Sequence, residues 1–248
     1  MSAGLTAGPS AAWRLVDPVL AVVFPSRCPA CRDLLRHPSR GPLCEECWRA
    51  LPRHPRPLCA CGLPLAVSGQ AACGRCRRGL NPTAAGASLG PYEGSLRAVL
   101  HELKYRGRRR VARRLAEELL LSPAARRLLT PDAVLVPVPL HPSRRRERGF
   151  NQSELLAAEL ARRTGLRLAP SALVRRRDTS PQAGLTAAAR RANVEGAFAV
   201  RQRARVSGRP VVLVDDVLTT GATARGCARV LRDAGASEVR VLTVARVW

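Results

Sequence analysis

The sequence predicts an α/β protein with a mostly parallel sheet flanked by helices, preceded by a small cysteine-rich domain. Apolar runs of strand type lie at residues 133–140, 211–214 and 238–246, and segments with a helical spacing of apolar residues separate them. Strands that alternate with helices are typical of βαβ units. Eight of the nine cysteines lie between positions 28 and 76, which sets the front of the chain apart.

Composition divides the chain into three regions. Residues 1–27 are expected to form an N-terminal extension with a short amphipathic helix near residues 13–23. Residues 28–82 are rich in Cys, Pro and Gly and lack a long apolar period, so this domain needs cross-links to be stable. Residues 83–248 carry the strand and helix patterns and form the predicted α/β domain.

The helices of the α/β domain are predicted from apolar spacing and from signals at their ends. Apolar residues recur at helical spacing over residues 95–105 and 111–121. Asn151 is expected to open the next helix, with Glu154 as its capping-box partner and Gly165 as the stop. A further helix is predicted over residues 222–233, whereas residues 170–210 are rich in arginine and only weakly periodic.

Two sets of cysteines have spacings typical of metal ligands. The first repeats Cys-x-x-Cys, which suits tetrahedral thiolate coordination of Zn²⁺, and comprises Cys28, Cys31, Cys44 and Cys47. The second starts with Cys-x-Cys, a harder geometry for one ion, and comprises Cys59, Cys61, Cys73 and Cys76. Zinc-ribbon-like sites are the prediction. Disulfides and an iron–sulfur cluster are the alternatives, and a reducing cytoplasm disfavours the disulfides.

The charge of the chain is strongly positive. A net charge of +24 predicts attraction to polyanions such as phosphorylated sugars, nucleic acids or anionic lipids. Nearly all of it is arginine, with Lys104 as the single lysine. Aromatic residues make up 3%, which argues against base stacking as the main activity. The longest apolar run is residues 19–24 and no signal peptide is recognised, so a cytoplasmic protein without a membrane span is expected.

The segment VVLVDDVLTTGAT, residues 211–223, is the strongest candidate for a binding site. An apolar strand leads into Asp215 and Asp216, and open α/β sheets bind ligands beyond the carboxyl ends of their strands. Hydroxyl and backbone N–H groups around Gly221, where a helix starts, form an anion site. Because adjacent carboxylates accept hydrogen bonds from vicinal hydroxyls, the segment predicts a phosphoribosyl site. The alternative is a strand end followed by a threonine helix cap.

This segment resembles the 5-phosphoribosyl-1-pyrophosphate (PRPP) motif of type I phosphoribosyltransferases. The resemblance implies a type I phosphoribosyltransferase-like fold in which Asp215 and Asp216 hold the ribose hydroxyls. It also implies a loop for the 5-phosphate formed by Leu218, Thr219, Thr220, Gly221, Ala222 and Thr223. In that family Mg²⁺, bound mostly by PRPP itself, neutralises the pyrophosphate that leaves C1.

Two further sequence strings narrow the family. The first is VPVPLHPSRRRERGFNQ at residues 136–152. The second is QAGL at residues 182–185, followed by Arg190 and by NVEGAF at residues 193–198. With the cysteine-rich front, they make nearly the whole chain similar to the ComF (competence protein F) family, which includes the GntX-type proteins. In that light the first string is the pyrophosphate loop, with the candidates Pro139, Leu140, Arg144, Arg145, Arg146 and Arg148. A solvated arginine cluster is the alternative. Gln182 and Arg190 are candidates in a flexible loop that closes over PRPP.

Three functions are compatible with a ComF-type protein that binds PRPP. The first is a phosphoribosyltransferase, a pentosyl glycosyltransferase with an unidentified acceptor. The second is a competence-linked factor that handles single-stranded DNA during DNA uptake, since a charge of +24 fits a phosphate backbone. The third is a PRPP sensor without turnover. The sequence does not distinguish among these three functions, and it does not give an oligomeric state. Two further residues, Lys104 and Tyr105, are compatible with a ligand contact and equally with a helix end.

Overall fold

A five-stranded parallel sheet forms the centre of the computed structural model, which describes residues 25–38, 41–66, 69–79, 81, 83–105, 110–177 and 196–247. The strands of this sheet are β1 (Ala85–Pro91), β2 (Val134–Pro137), β3 (Arg167–Leu168), β6 (Pro210–Leu218) and β7 (Glu238–Arg246). They lie in the order β1-β7-β6-β2-β3, and every neighbouring pair is parallel. A separate antiparallel pair consists of β4 (Leu173–Arg175) and β5 (Phe198–Val200).

Helices cover both faces of the sheet. The longer ones are α3 (Gly94–Tyr105), α4 (Arg110–Leu121), α7 (Gln152–Thr164) and α9 (Ala222–Asp233). The short ones are α1 (Glu45–Arg49), α2 (Gly74–Arg77), α5 (Pro123–Arg126), α6 (Pro142–Arg148) and α8 (Arg203–Val206). Within the described part of the chain, no helix is both long and apolar enough to cross a membrane.

The two faces of β6 belong to two buried clusters. Val212 and Val214 pack with helices α3, α4 and α7, whereas Val211 and Leu213 pack with α9. Successive side chains of a strand point to opposite faces, so a strand covered on both sides reads as a continuous apolar run. This double cover confirms the predicted α/β class with a mostly parallel sheet.

Two of the predicted strands have different bounds in the structure, and β1, β3, β4 and β5 were not predicted. β2 ends at Pro137 instead of residue 140; Val138 N still donates to Val214 O at 2.9 Å, but the next residue, a proline at 139, has no N–H to continue the ladder. β6 continues through both aspartates to Leu218, because β7 pairs with it as far as Arg246. β1, with glycines at 86 and 90, has no local strand signal and is held by pairing with β7.

The N-cap and the C-terminal stop of α7 are as predicted. Asn151 Oδ1 accepts a hydrogen bond from Ser153 N at 3.0 Å, and Gly165 ends the helix with a left-handed φ of 73°. Glu154, predicted as the capping-box partner of Asn151, instead pairs with Arg145, whose Nη1 donates to Glu154 Oε1 at 2.6 Å. The predicted pyrophosphate loop is more regular than expected, since residues 142–148 form the helix α6.

The cysteine-rich segment is docked against the β1 edge of the sheet. Gly86 N donates to Ala60 O at 2.8 Å, and Arg246 Nη1 donates to Cys61 O at 2.6 Å. Trp48, which is 2% exposed, belongs to the same buried cluster as α3 and α4. The front segment and the sheet therefore share one hydrophobic core. The bounds between residues 27 and 28 and between 82 and 83 stay predictions, and residues 1–24 lie outside the described residues.

Candidate functional site

Two acidic side chains lie near the carboxyl end of β6, at the edge where parallel sheets bind ligands. Asp215 Oδ1 accepts hydrogen bonds from Ser153 Oγ at 2.8 Å and from Asp216 N at 2.9 Å. Asp216 Oδ2 lies 2.6 Å from Lys104 Nζ, and Gln152 Nε2 donates to Asp216 Oδ1 at 3.5 Å. The end of α3 and the start of α7 thus both contact the acids.

The two carboxyl groups differ in their tendency to ionise. Burial raises the pKa of Asp215 to about 8, and repulsion from Asp216 adds to the increase. Burial also opposes ionisation of Asp216, but the Lys104 ammonium outweighs it and lowers the pKa of Asp216. Burial by itself would lower the pKa of Lys104. The negative charge of Asp216 outweighs burial, so the pKa of Lys104 is raised. At neutral pH the negative charge of the pair therefore lies mainly on Asp216.

A cleft of about 360 Å³, here called the main cleft, opens beside these acids. This volume is within the range of small-molecule sites. The main cleft brings together the two segments that the sequence predicts to bind phosphate. The predicted residues that line it are Asp215, Asp216, Thr219, Thr223, Pro139, Leu140, Arg144 and Arg148.

The remaining predicted arginines line a different space. Arg145 and Arg146 face a groove of about 500 Å³ that shares its Pro139–Leu140 wall with the main cleft. We call this space the arginine groove, after its lining residues Arg145, Arg146, Arg175 and Arg201. Gln182 and Arg190, the flexible-loop candidates, lie outside the described residues.

The threonine loop turns tightly between β6 and α9. Gly221 has a left-handed φ of 74°, which favours glycine, and its carbonyl accepts from Arg225 N at 2.8 Å. Leu218, Thr220 and Gly221 border a space of about 30 Å³ on the side of the loop that faces Cys61. Ala222 is buried at the start of α9. Thr219 and Thr223 are therefore the loop residues that reach the main cleft.

Several further polar or aromatic residues line the main cleft: Tyr92, Lys104, Gln152, Ser153 and Arg175. For Lys104 the sequence left a ligand contact and a helix end open, and the other four were not predicted as ligands. Gln152 is 4% exposed, and its Oε1 atom has no hydrogen-bond partner among the described residues. A buried, unpaired acceptor beside a cleft marks a place where a ligand hydroxyl can donate.

Sequence signals existed for some of these residues. Lys104 is the single lysine of the chain, and Gln152 ends the string that carries the family resemblance. Gln152 and Ser153 directly follow Asn151, and the capping signal accounts for this part of the sequence without a ligand. Arg175 lies in the weakly periodic segment 170–210, where the sequence offers no signal.

The eight cysteines of the front segment form two groups of four, and the sulfur atoms of each group lie within 4.8 Å of one another. Measured Sγ–Sγ distances are 3.7 Å for Cys31 and Cys44, 3.6 Å for Cys59 and Cys76, and 3.7 Å for Cys61 and Cys73. Tetrahedral Zn–S bonds of about 2.3 Å require roughly 3.8 Å between sulfurs. All eight are free thiols, so both groups, including the one with Cys-x-Cys, have the geometry of a tetrahedral metal site.

Backbone N–H groups approach sulfur atoms of the first group and favour a thiolate at Cys28. Cys44 caps α1, and its Sγ accepts from Cys47 N at 3.4 Å. Burial raises the pKa of Cys28, but hydrogen bonds from the backbone of Cys31, Cys44 and Ala30 outweigh burial and lower this pKa to about 7. A thiolate is the form that binds metal, so these hydrogen bonds prepare Cys28 as a ligand. A backbone hydrogen bond from Asp33 favours the thiolate of Cys31 as well, but burial and side-chain hydrogen bonds outweigh it and raise the pKa of Cys31 to about 11.

Comparison with known proteins agrees with this two-part architecture. Residues 19–78 match the double zinc ribbon domain, and residues 151–247 match the phosphoribosyl transferase domain. Among solved structures, glutamine PRPP amidotransferase from B. subtilis, complexed with ADP and GMP, aligns with a TM-score of 0.39 and 25% identity. That alignment covers 58% of this chain and 30% of that chain.

Two relatives match over nearly their whole length. The DNA utilization protein YhgH of Escherichia coli K12 is 37% identical over 230 residues, which is 91% of this chain and 99% of that protein. Competence protein F of Haemophilus influenzae is 32% identical over 229 residues, 90% of this chain and 98% of that protein. These matches confirm the resemblance found in the motifs. The chain belongs to the family of competence protein F and DNA utilization protein YhgH.

Proposed function

We propose that the protein binds PRPP in the main cleft and transfers its phosphoribosyl group to an acceptor, with release of pyrophosphate. The observation that carries the proposal is a single space of about 360 Å³ lined by the acids of β6, the threonine loop and the arginines of α6. These three elements match the hydroxyls, the 5-phosphate and the pyrophosphate of one ligand. The matched phosphoribosyl transferase domain supports the same ligand.

Each part of PRPP has a counterpart in the main cleft. Asp215 and Asp216 accept hydrogen bonds from the ribose hydroxyls. The 5-phosphate binds the loop that opens α9, where a helix N-terminus favours an anion. The pyrophosphate faces Arg144 and Arg148, whose guanidinium groups suit phosphate oxygens. Mg²⁺, which prefers carboxylate and phosphate oxygens, would neutralise the leaving pyrophosphate.

The reaction breaks the bond between C1 of the ribose and the pyrophosphate oxygen, and pyrophosphate leaves with the bonding electrons. A lone pair of the acceptor then attacks the oxocarbenium-like C1, and the acceptor's proton passes to solvent. The protein contributes positioning and charge stabilisation. Gln182 and Arg190 remain the proposed closing contacts over PRPP.

We further propose that each cysteine group holds one structural zinc ion. The Sγ–Sγ distances of 3.6–3.7 Å support tetrahedral coordination, and the matched double zinc ribbon domain agrees. Zinc binding needs reduced thiols, and thiols stay reduced in the cytoplasm, so we propose a cytoplasmic location as well. Zinc analysis of the purified protein should find about two ions per chain.

Calorimetric titration with Mg²⁺ and PRPP tests ligand binding. The wild type should bind, and the double variant Asp215→Asn with Asp216→Asn should lose binding. Asp233→Asn, an exposed position at the end of α9, removes the same charge as a control and should bind normally. Absence of PRPP binding by the wild type would overturn the proposal. Binding without pyrophosphate release, across candidate acceptors, would leave a PRPP sensor in place of a transferase.

A second candidate function is the handling of single-stranded DNA, which the arginine groove favours. Four arginines line this groove beside the main cleft, and relatives are named DNA utilization protein and competence protein F. Arg146→Gln should weaken binding of an oligonucleotide and lower the slope of its salt dependence by about one per lost phosphate contact. An unchanged affinity and slope in Arg146→Gln combined with Arg201→Gln would remove the groove from this role.

A further inference from the structure

The single lysine of the chain lies in the main cleft. All other basic side chains apart from the histidines are arginines, yet the position that faces Asp216 holds lysine. Lys104 Nζ lies 2.6 Å from Asp216 Oδ2, and the side chains are 19% and 7% exposed. The same ammonium lies 5.9 Å from the centre of the Tyr92 ring. A compact point charge fits between a carboxylate and a ring where a planar, forked guanidinium demands a different geometry.

Lys104 reaches the acid from a separate part of the fold. It lies in the last turn of α3, whereas Asp216 belongs to β6. Gln152, from the first turn of α7, approaches the other carboxylate oxygen and keeps its own Oε1 unpaired. The acid is therefore fixed from two sides, and an acceptor beside it is left for a ligand.

We propose that Lys104 is a positioning residue that holds Asp216 as a charged acceptor for a sugar hydroxyl, and that it thereby makes the main cleft select ligands with vicinal hydroxyls. This inference rests on the proposed binding of PRPP. A buried carboxylate without a counterion tends to take up a proton, and a protonated Asp216 would offer the hydroxyls one acceptor fewer. Lys104 thus acts on the ribose through Asp216, while the arginines of α6 act on the phosphates.

Two simple ligands separate the proposed role of Asp216 from that of the arginines. Ribose 5-phosphate carries the hydroxyls that Asp216 is proposed to hold, whereas inorganic pyrophosphate carries none. In Lys104→Met and in Lys104→Gln, we expect ribose 5-phosphate to bind about tenfold more weakly at neutral pH, because a buried carboxyl group without its counterion tends to take up a proton. Pyrophosphate binding should stay within about twofold of wild type, because its proposed contacts are Arg144 and Arg148.

The pH dependence of ribose 5-phosphate binding provides a second readout. Without the ammonium, ionisation of Asp216 needs a higher pH, so the acid limb of the binding profile should move upward in both variants. Lys104→Arg keeps the charge in a different geometry and should return the limb part of the way toward that of wild type. The ligand's own titration is the same for every protein. The other charged or titratable groups that line the main cleft are unchanged in these variants: Tyr92, Arg144, Arg148, Arg175 and Asp215.

Controls keep the outcomes separate. Arg162→Met removes one positive charge from an exposed side chain of α7 and should leave both ligands and the pH profile unchanged. Lys104→Gln keeps a hydrogen-bond donor, so it provides the measurement if Lys104→Met fails to fold. Equal loss of both ligands would make Lys104 a direct phosphate contact and overturn the inference, as would wild-type binding with an unshifted profile. A wild type that binds neither PRPP nor ribose 5-phosphate would instead overturn the proposed function.

Discussion

Replacing Gly90 with alanine tests how closely the cysteine-rich segment is docked on the sheet. A Cβ atom at this position would lie 1.9 Å from the carbonyl oxygen of Pro52 and 2.6 Å from its carbonyl carbon. Carbon atoms in contact lie about 3.5 Å apart, so β1 or the backbone at Pro52 must move by roughly an ångström. Overpacking typically costs about 1–3 kcal/mol, and a clash with backbone places Gly90→Ala in the upper part of that range.

Denaturant titration followed by circular dichroism measures this cost. We expect the free energy of unfolding to fall by about 2–3 kcal/mol in Gly90→Ala, with a Tm lower by roughly 5–10 °C. Gly86→Ala, whose Cβ would lie 2.7 Å from Cys61 O, should cost less. Gly74→Ala is the matched control, because its Cβ would meet nothing within 4 Å. If Gly90→Ala proves as stable as Gly74→Ala, the docking of the front segment on β1 is wrong.

Three further predictions concern the acids, the metal and a helix cap. Because the pKa of Asp215 is raised from 3.8 to about 8, unfolding releases its proton in that window. The free energy of unfolding should therefore fall as the pH rises through this range. Asp215→Asn, measured by denaturation across the same range, should abolish this part of the fall. An unchanged pH profile in this variant would contradict the raised pKa of Asp215. A zinc chelator should release about two ions per chain and lower the Tm, and no change in Tm would argue against a structural role. Asn151→Ala should cost about 1–2 kcal/mol on thermal or chemical denaturation, because it removes the α7 cap. The Asn151 side chain also donates to Val138 O at 2.9 Å. Asn151→Asp keeps only the cap acceptor and should therefore recover part of the lost stability. Full stability in Asn151→Ala would exclude the cap.

Local patterns were sufficient for much of the fold. Four consecutive apolar residues before Asp215 required a strand covered on both faces, and β6 is buried in two clusters. The cap at Asn151 and the stop at Gly165 were predictable because capping depends on residues within one helical turn. Strand ends were less predictable, since the length of β6 depends on pairing with β7.

The helix α6, which the sequence did not predict, divides the arginines of the predicted pyrophosphate loop into two sets. Arg144 and Arg148 are four residues apart and line the main cleft, whereas Arg145 and Arg146 line the arginine groove. Positions i and i+4 share one face of a helix, so the division follows from helical geometry. With this segment interpreted as a loop, all four arginines were equivalent candidates.

The sequence by itself determined which chemical groups this protein presents. The paired acids, the threonine loop, the arginine string and the two sets of four cysteines each lie within a short stretch whose spacing predicts a kind of ligand. Only the tertiary structure decided how these parts meet. The lysine at the end of α3 reaches Asp216, the front segment covers β1, and the second cysteine group closes despite its Cys-x-Cys start. The physical reason is that such contacts join residues far apart in the chain, and their geometry arises only when the sheet, its helices and the front segment share one core.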